Sequence, residues 1–564
     1  MSRIITGLVG LLALLVFYRA VFLSGFDLLP GDIGDTRFNM VILEHWFRVA
    51  QGLDSGTSPN FFFPAPGTLG YSDALILLAI PYVASRLIGL GVLHSTQWTL
   101  LAWSLLGFTG MFLWLRRPQQ LALPASLAGA VAFAFGTQFY QGLALGHIQL
   151  MTALLLPWLA SGVWCQLKNT LDNPSRHPLA CGVGAAALLA LMLLTSFYVG
   201  WFVMLQGLVM AMLAIFALFA RRGVRQGFLA VRVELARQWP GLAVGAWVLM
   251  AGLLPFAMIY GPILQQGVER DWSVVARYLP FWTDLHDPKG NLLWEPVAQT
   301  LAPWLTSRKD ELGKGLTWGL LAIFCATLIQ TGFARRPPLT DPTALRQHRM
   351  VLLFGGSVIV CWILMLKVGE VSLWALVYHW VPGAIAIRTV HRFNGVLAFS
   401  VVTVAAMGLD RLWRQSGNRR PAQIAVLALA ALIAFEQINR LPKFVSQRAD
   451  MTPLETFAAA PPHCRAFVLL PSDRDPRWHH WSRQLEAVVI AQRQNLPTLN
   501  GESGGAPPGW HLFDPSDSPA YEEALVSWAD RYQLWDGLCG LDPVLARWFP
   551  VRRHDGVIQA PGRL

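Results

Sequence analysis

The sequence is short of charge. Asp, Glu, Lys and Arg make up 14% of its 564 residues, against about 25% in an ordinary soluble domain. The deficit runs along the whole chain. That excludes a soluble protein with one anchor and leaves a polytopic membrane protein. Cysteine is also scarce, six residues in all, and none makes a CxxC pair or a zinc-ligand spacing. Cys165, Cys181, Cys325 and Cys361 lie in or beside apolar stretches and read as inert. His479 and His480, with Asp473 and Asp475 nearby, lack zinc spacing. The glycine-rich run Gly501–Gly505 contains no lysine, so it is not a P-loop. No small-residue cleavage site follows the apolar run Ile4–Phe17, which therefore reads as a retained first helix.

What is abundant is apolar length. Hydrophobic residues reach 54% and the mean hydropathy is +0.44. Stretches long enough to cross a bilayer occur at 4–24, 97–115, 121–138, 148–165, 179–197, 199–220, 240–259, 315–333, 350–368, 394–412 and 421–438. A further stretch, 74–93, is apolar but holds Pro81 and Arg86 and ends in Gly89 and Gly91. The basic clusters at 116–117, 168–176, 221–237, 335–349 and 411–420 share one side only if 74–93 does not cross. It then reads as a juxtamembrane or re-entrant helix. About eleven spans remain, with the N-terminus cytoplasmic. The net charge of +11 is read as this loop bias rather than as a nucleic-acid surface, and no nucleic acid is expected as a partner.

Composition changes near Leu441. The expected organisation is a transmembrane domain over 1–440 and a small α+β extracytoplasmic domain over 441–564. In the latter, Phe467–Leu470 reads as a strand and Tyr521–Tyr532 as an amphipathic helix. Its two cysteines, Cys464 and Cys539, either pair as a disulfide or stay as buried thiols.

The long loop after the first span crowds Asp27, Asp32 and Asp35 together. Thr36 or Asp35 is placed to cap a helix running to about Gln51. On it, Glu44 and Arg48 stand at i,i+4 spacing. Phe38, Val41, Ile42, Trp46 and Phe47 suit a helix lying along the interface. Phe61–Phe63 read as a lipid-facing rim. Glu269, Arg270 and Asp271 form a charge cluster that is either solvated or an acceptor contact.

The order Gly31, Asp32, Asp35, Asn39, Glu44, His45 resembles the start of GT-C type glycosyltransferases, in particular bacterial YfhO-like and related uncharacterised membrane glycosyltransferases. Gly146, His147 and Gln149, and later Arg388, His391 and Arg392, follow in the same order. His147 stands where several members have an acidic residue. The resemblance covers roughly residues 1–440. It implies a GT-C-like α-helical fold and a sugar donor linked to a polyprenyl phosphate in the cell (inner) membrane. It also implies a glycan, lipid or protein acceptor outside. Inverting transfer needs a carboxylate to take the acceptor proton, for which Asp35 is the candidate. Asp32 is the reserve, or a sugar-hydroxyl or divalent-cation ligand. Arg388 and Arg392 are candidate phosphate binders, since the guanidinium fork matches phosphate oxygens. Asn39, Glu44, His45, His147, Gln149 and His391 are candidate substrate contacts. The competing readings are a lipid or glycan transporter or flippase, and a non-catalytic envelope-biogenesis scaffold.

Overall fold

The computed structural model of the protein describes residues 2–171, 178–266, 270–287, 289–301, 315–334, 341–440, 443–470, 480–514, 518–543, 546–554 and 557–559. Every apolar stretch read from the sequence contains helix. In chain order these are α1 (Ser2–Phe17), α2 (Asp35–Ala50, from the polar loop), α3 (Ile76–Leu87), α4 (Val92–Arg116), α5 (Leu123–Ala134), α6 (Leu156–Leu171), α7 (Pro178–Thr195), α8 (Phe197–Gly252), α9 (Trp318–Phe333), α10 (Pro342–Met365), α11 (Phe393–Ser416) and α12 (Arg420–Phe435). Among the described residues, five helical stretches are long and apolar enough to cross a membrane: Val92–Arg116, Ile148–Leu167, Phe197–Gly252, Pro342–Met365 and Val390–Ser416. The chain is an integral membrane protein on that ground. Its α3 has 12 residues, a rise of about 18 Å, short of a hydrocarbon core of about 30 Å.

Several local expectations are corrected. The basic segment 221–237 was expected as a loop, but it is helical on both sides of a break at Gly223 (φ 75°, ψ 161°). Its Arg, Leu, Ala and Gln residues are good helix formers, and the glycine absorbs the one non-helical step. A second correction concerns α2, which does not lie along an interface. Val41, Ile42 and Leu43 are fully buried, because α2 is sandwiched between α3 and the C-terminal segment.

That segment is joined to the first loop rather than hung from it. Strand β1 (Leu28–Pro30) pairs antiparallel with β2 (Phe444–Ser446), Leu29 opposite Val445. Beyond it, β3 (Ala466–Leu469) runs parallel to β4 (Leu538–Asp542), which pairs antiparallel with β5 (Arg547–Pro550). Helices α13 (His480–Gln494) and α14 (Ser518–Tyr532) complete this α+β layer. Residues 60–63 add to it by main-chain bonds: Phe62 N–H to Asn500 O at 2.9 Å, Phe63 N–H to Thr498 O at 3.0 Å, and Thr498 N–H to Asn60 O at 3.0 Å. Phe61 and Phe62 are therefore not a lipid-facing rim. Both are buried, and Phe62 meets Trp510 edge-on at 4.7 Å. One hydrophobic core runs from the helices through Phe62 into Phe467 and Trp528.

Cys464 and Cys539 are disulfide-bonded, with their Cα atoms 5.7 Å apart. Cys165 and Cys181, expected to be inert, also form a disulfide, Cα to Cα 5.9 Å. Glu269, Asp473, Asp475 and His479 lie outside the described residues.

Candidate active site

The site is assembled where α2 begins. Asp32 Oδ1 accepts the Asp35 N–H at 2.9 Å, so Asp32 supplies the capping bond expected of Asp35 or Thr36. Asp35 is left at the first helical position with its carboxylate about half exposed (54%). One turn on, Asn39 Nδ2 donates to Asp35 O and to Gly146 O, both at 2.8 Å. These bonds clamp α2 to the loop that holds His147. Gly146 has φ +76°, and a Cβ there would come within 2.5 Å of Thr36 N. Only glycine permits both the turn and the contact.

The clamp brings His147 Nε2 to 2.9 Å from Asp35 Oδ2. The same nitrogen is 3.0 Å from Arg392 Nη2. One ring nitrogen holds at most one hydrogen, so Nε2 either donates to Asp35 or accepts from Arg392. The imidazole thus separates a carboxylate from a guanidinium. Arg392 sits in a 3-10 turn, Val390–Arg392, at the start of α11. Its guanidinium lies 5.3 Å over the Tyr198 ring, and that of Arg388 lies 5.2 Å over Tyr278. The Tyr198 hydroxyl accepts the Arg388 N–H at 2.9 Å.

These groups line one cavity of about 900 Å³. Of the residues singled out in the sequence, it contains Asp32, Asp35, Asn39, His147, Gln149, Arg388 and Arg392. Gln149 Oε1 is buried and accepts no hydrogen bond among the described residues. Three candidates lie elsewhere. Glu44 is held by Arg86 at 2.9 Å through both carboxylate oxygens and by the Tyr82 hydroxyl at 2.7 Å. Its expected partner Arg48 instead forks onto Asp54 at 3.0 and 2.9 Å. His45 is fully buried, with Nδ1 3.1 Å from Asp54. These two pairings tie α2 to α3 and to the loop that follows α2. His391 is buried behind Arg392 and faces a separate small gap beside Phe139.

The cavity also takes residues the sequence did not flag: Ser72, Lys443, Phe444, Glu502 and Ser503. Glu502 matters most. Burial, with Asp35 adding, raises its carboxyl to about 7. Burial and then the Asp35 charge also raise Asp32, against the backbone bonds it accepts. Asp73, which does not line this cavity, is raised to about 6 by burial, although it accepts the Phe197 N–H at 2.9 Å and senses Arg392. Asp32, Asp35 and Glu502 line the same cavity, and the Asp35 charge raises both of the others, so these acids do not ionise independently. Asp32, Asp35 and Glu502 are oxygen ligands of a type that suits a hard divalent cation. Arg270, two residues before the short helix Trp272–Arg277, is outside the cavity lining but donates from Nη2 to Gly504 O at 2.6 Å, bracing the loop that holds Glu502. Asp271 caps the short helix Trp272–Arg277.

No model of a known protein family matches the chain, and no curated protein matches it in sequence. Among solved structures it is similar to arabinofuranosyltransferase AftD from mycobacteria, at 13% identity and TM-score 0.48, over 97% of this chain and 36% of that one. An Archaeoglobus fulgidus oligosaccharyltransferase matches at 13% identity and TM-score 0.45, over 88% of this chain and 63% of that one. ArnT from Cupriavidus metallidurans, bound to undecaprenyl phosphate, matches at 15% and 0.45, over 87% and 84%. The chain thus spans about a third of the AftD chain and under two thirds of the oligosaccharyltransferase.

Proposed function

We propose that the protein is a glycosyltransferase that moves a sugar from a polyprenyl-phosphate-linked donor to an acceptor on the extracytoplasmic face. One observation carries this reading: a half-exposed carboxylate and a guanidinium flank one imidazole in a single cavity, Asp35 2.9 Å and Arg392 3.0 Å from His147 Nε2. Asp35 takes the acceptor hydroxyl proton as that oxygen attacks the anomeric carbon. The bond from that carbon to the phosphate oxygen breaks, and the lipid phosphate leaves with the electron pair. Arg388 and Arg392 receive its charge, so no strong acid is needed on the leaving group. His147 holds Asp35 and Arg392 apart, which keeps the base from collapsing into an ion pair with the phosphate binder. Asp32 and Glu502 serve as sugar-hydroxyl acceptors or, with Asp35, as ligands for a divalent cation. Such an ion would supply further charge on the phosphate.

The test is release of polyprenyl phosphate from a polyprenyl-phosphate sugar by the purified chain. Asp35→Asn should lower turnover by about 10²–10⁴-fold, the usual scale of a lost general base. Donor binding should stay within about threefold, because the base acts only in the transition state. Arg388→Ala should weaken donor binding as well. Full turnover by a folded Asp35→Asn protein would refute Asp35 as the base, and absence of turnover in the unaltered chain would favour a scaffold or transporter.

A further inference from the structure

Two smaller cavities follow one another along α1, and the second adjoins the candidate active site. The first, about 160 Å³, is walled by Val9, Ala13 and Val16 of α1, by Phe135 beyond α5, and by Ala434 of α12. The second, about 360 Å³, is bounded by Arg19, Pro30, Arg440 and Phe444. Phe17, Arg19 and Tyr140 line both of these spaces. Phe444 lines both the second space and the active-site cavity, where Lys443 stands beside it. The order is therefore apolar, then cationic, then acid-lined.

The apolar part opens on a face made for lipid. Leu8 and Leu12 of α1 are 61% and 62% exposed, and an apolar helix with bare leucines needs acyl chains around it. Arg19 is fixed at the neck by bonds from Nη1 to Val16 O at 3.0 Å and from Nη2 to Asn439 O. Those bonds use two of its five N–H groups and leave donors for an anion. Arg440 is exposed, its main chain held by Gly290 O at 2.7 Å. Two guanidiniums at the head of an apolar trough match a lipid with an anionic head.

We propose that this trough seats a phosphate-headed membrane lipid that is the sugar acceptor, its chain along α1 and its phosphate between Arg19 and Arg440. The assignment rests on the reading of the main cavity as a transferase site. The donor phosphate already has Arg388 and Arg392, which line neither smaller space. The trough instead enters past Phe444 and Lys443, and the Lys443 charge acts on Asp32. It arrives on the carboxylate side, where a base must meet the attacking hydroxyl.

The test uses the full chain in detergent and native mass spectrometry, with dioleoyl phosphatidic acid and undecaprenyl phosphate as probes. Wild type should hold one of each together. Ala13→Trp, which fills the trough, and Arg440→Ala, which removes a head contact, should each weaken phosphatidic acid binding by about five- to tenfold. Both should leave undecaprenyl phosphate unaffected, while Arg388→Ala should do the reverse. Leu11→Trp, on the exposed face of α1, controls for tryptophan in that helix, and Arg440→Ala decides alone if Ala13→Trp does not fold. Unchanged phosphatidic acid binding in Arg440→Ala overturns the proposal. So does loss of undecaprenyl phosphate in its place, which would make the trough the donor's. Equal competition by dioleoyl phosphatidylcholine overturns it too, as an ordinary annular lipid. The readout is binding without turnover, so the two failures are distinguishable: absence of sugar transfer with phosphatidic acid still bound would sink the transferase reading and overturn the acceptor role, while loss of the lipid seat is read from binding alone.

Discussion

Replacing Phe62 with Ala should loosen the seam between residues 60–63 and the C-terminal layer. The ring is 1% exposed, meets Trp510 at 4.7 Å and Tyr71 at 6.4 Å, and lies against the main chain of Gly501. A Cβ added to Gly501 would fall 2.4 Å from it. The ring thus fills the seam beneath the loop that holds Glu502. Truncating a fully buried Phe costs about 3–5 kcal/mol. The main-chain bonds of residue 62 survive, and its left-handed φ of +55° strains Ala and Phe alike, so the change isolates the ring. The seam is one part of a large core, and its opening should be local. At about 1.4 kcal/mol per decade, a loss near 3 kcal/mol raises amide exchange about 10²-fold. Hydrogen exchange read by mass spectrometry on peptides spanning 60–65 and 498–504 should show this rise, with α11 unchanged. Phe513→Ala, at 53% exposure, is the control and should change little. Protection kept within about threefold at 498–504 would refute the claim that Phe62 docks the layer.

Arg86→Ala leaves the Glu44 carboxylate, 11% exposed, with Tyr82 as its one remaining side-chain partner among the described residues. It should destabilise by about 3 kcal/mol, read as a fall in thermal midpoint, and adding Glu44→Gln should recover most of it. Glu502 has a carboxyl raised to about 7 from an ordinary 4.5. Its contribution to stability is complete below 4.5 and is lost as pH rises through about 7. Glu502→Gln should therefore flatten the decline in thermal midpoint over that window, and an unchanged slope would contradict the assigned burial. Cysteines placed at Arg117 and Ser55, both exposed, should label from opposite sides of a sealed vesicle. Labelling of both from one side would end the topology in which α3 does not cross.

The sequence alone determined the helices. Apolar runs of near-bilayer length stand out wherever charge is scarce, and each one contains helix in the structure. It also marked the start of α2 near Asp35, although the capping bond there is accepted by Asp32 rather than by Asp35 or Thr36. Asp35, His147, Arg388 and Arg392 could be named from residue type and order, but not their distances. Those depend on the Asn39 clamp and the glycine approach at Gly146, contacts made across more than a hundred residues. Partner choice was likewise decided by the fold. Glu44 has Arg48 one turn away, yet Arg86 reaches it from α3 with two hydrogen bonds. The aromatic run 61–63 could equally have faced lipid or core, since an apolar side chain satisfies both. The main-chain pairing with 498–500 settled it. Glu502 carried no signal at all. An acid beside glycines reads as loop, and it gained a place in the cavity and a raised carboxyl only when tertiary packing buried it beside Asp35.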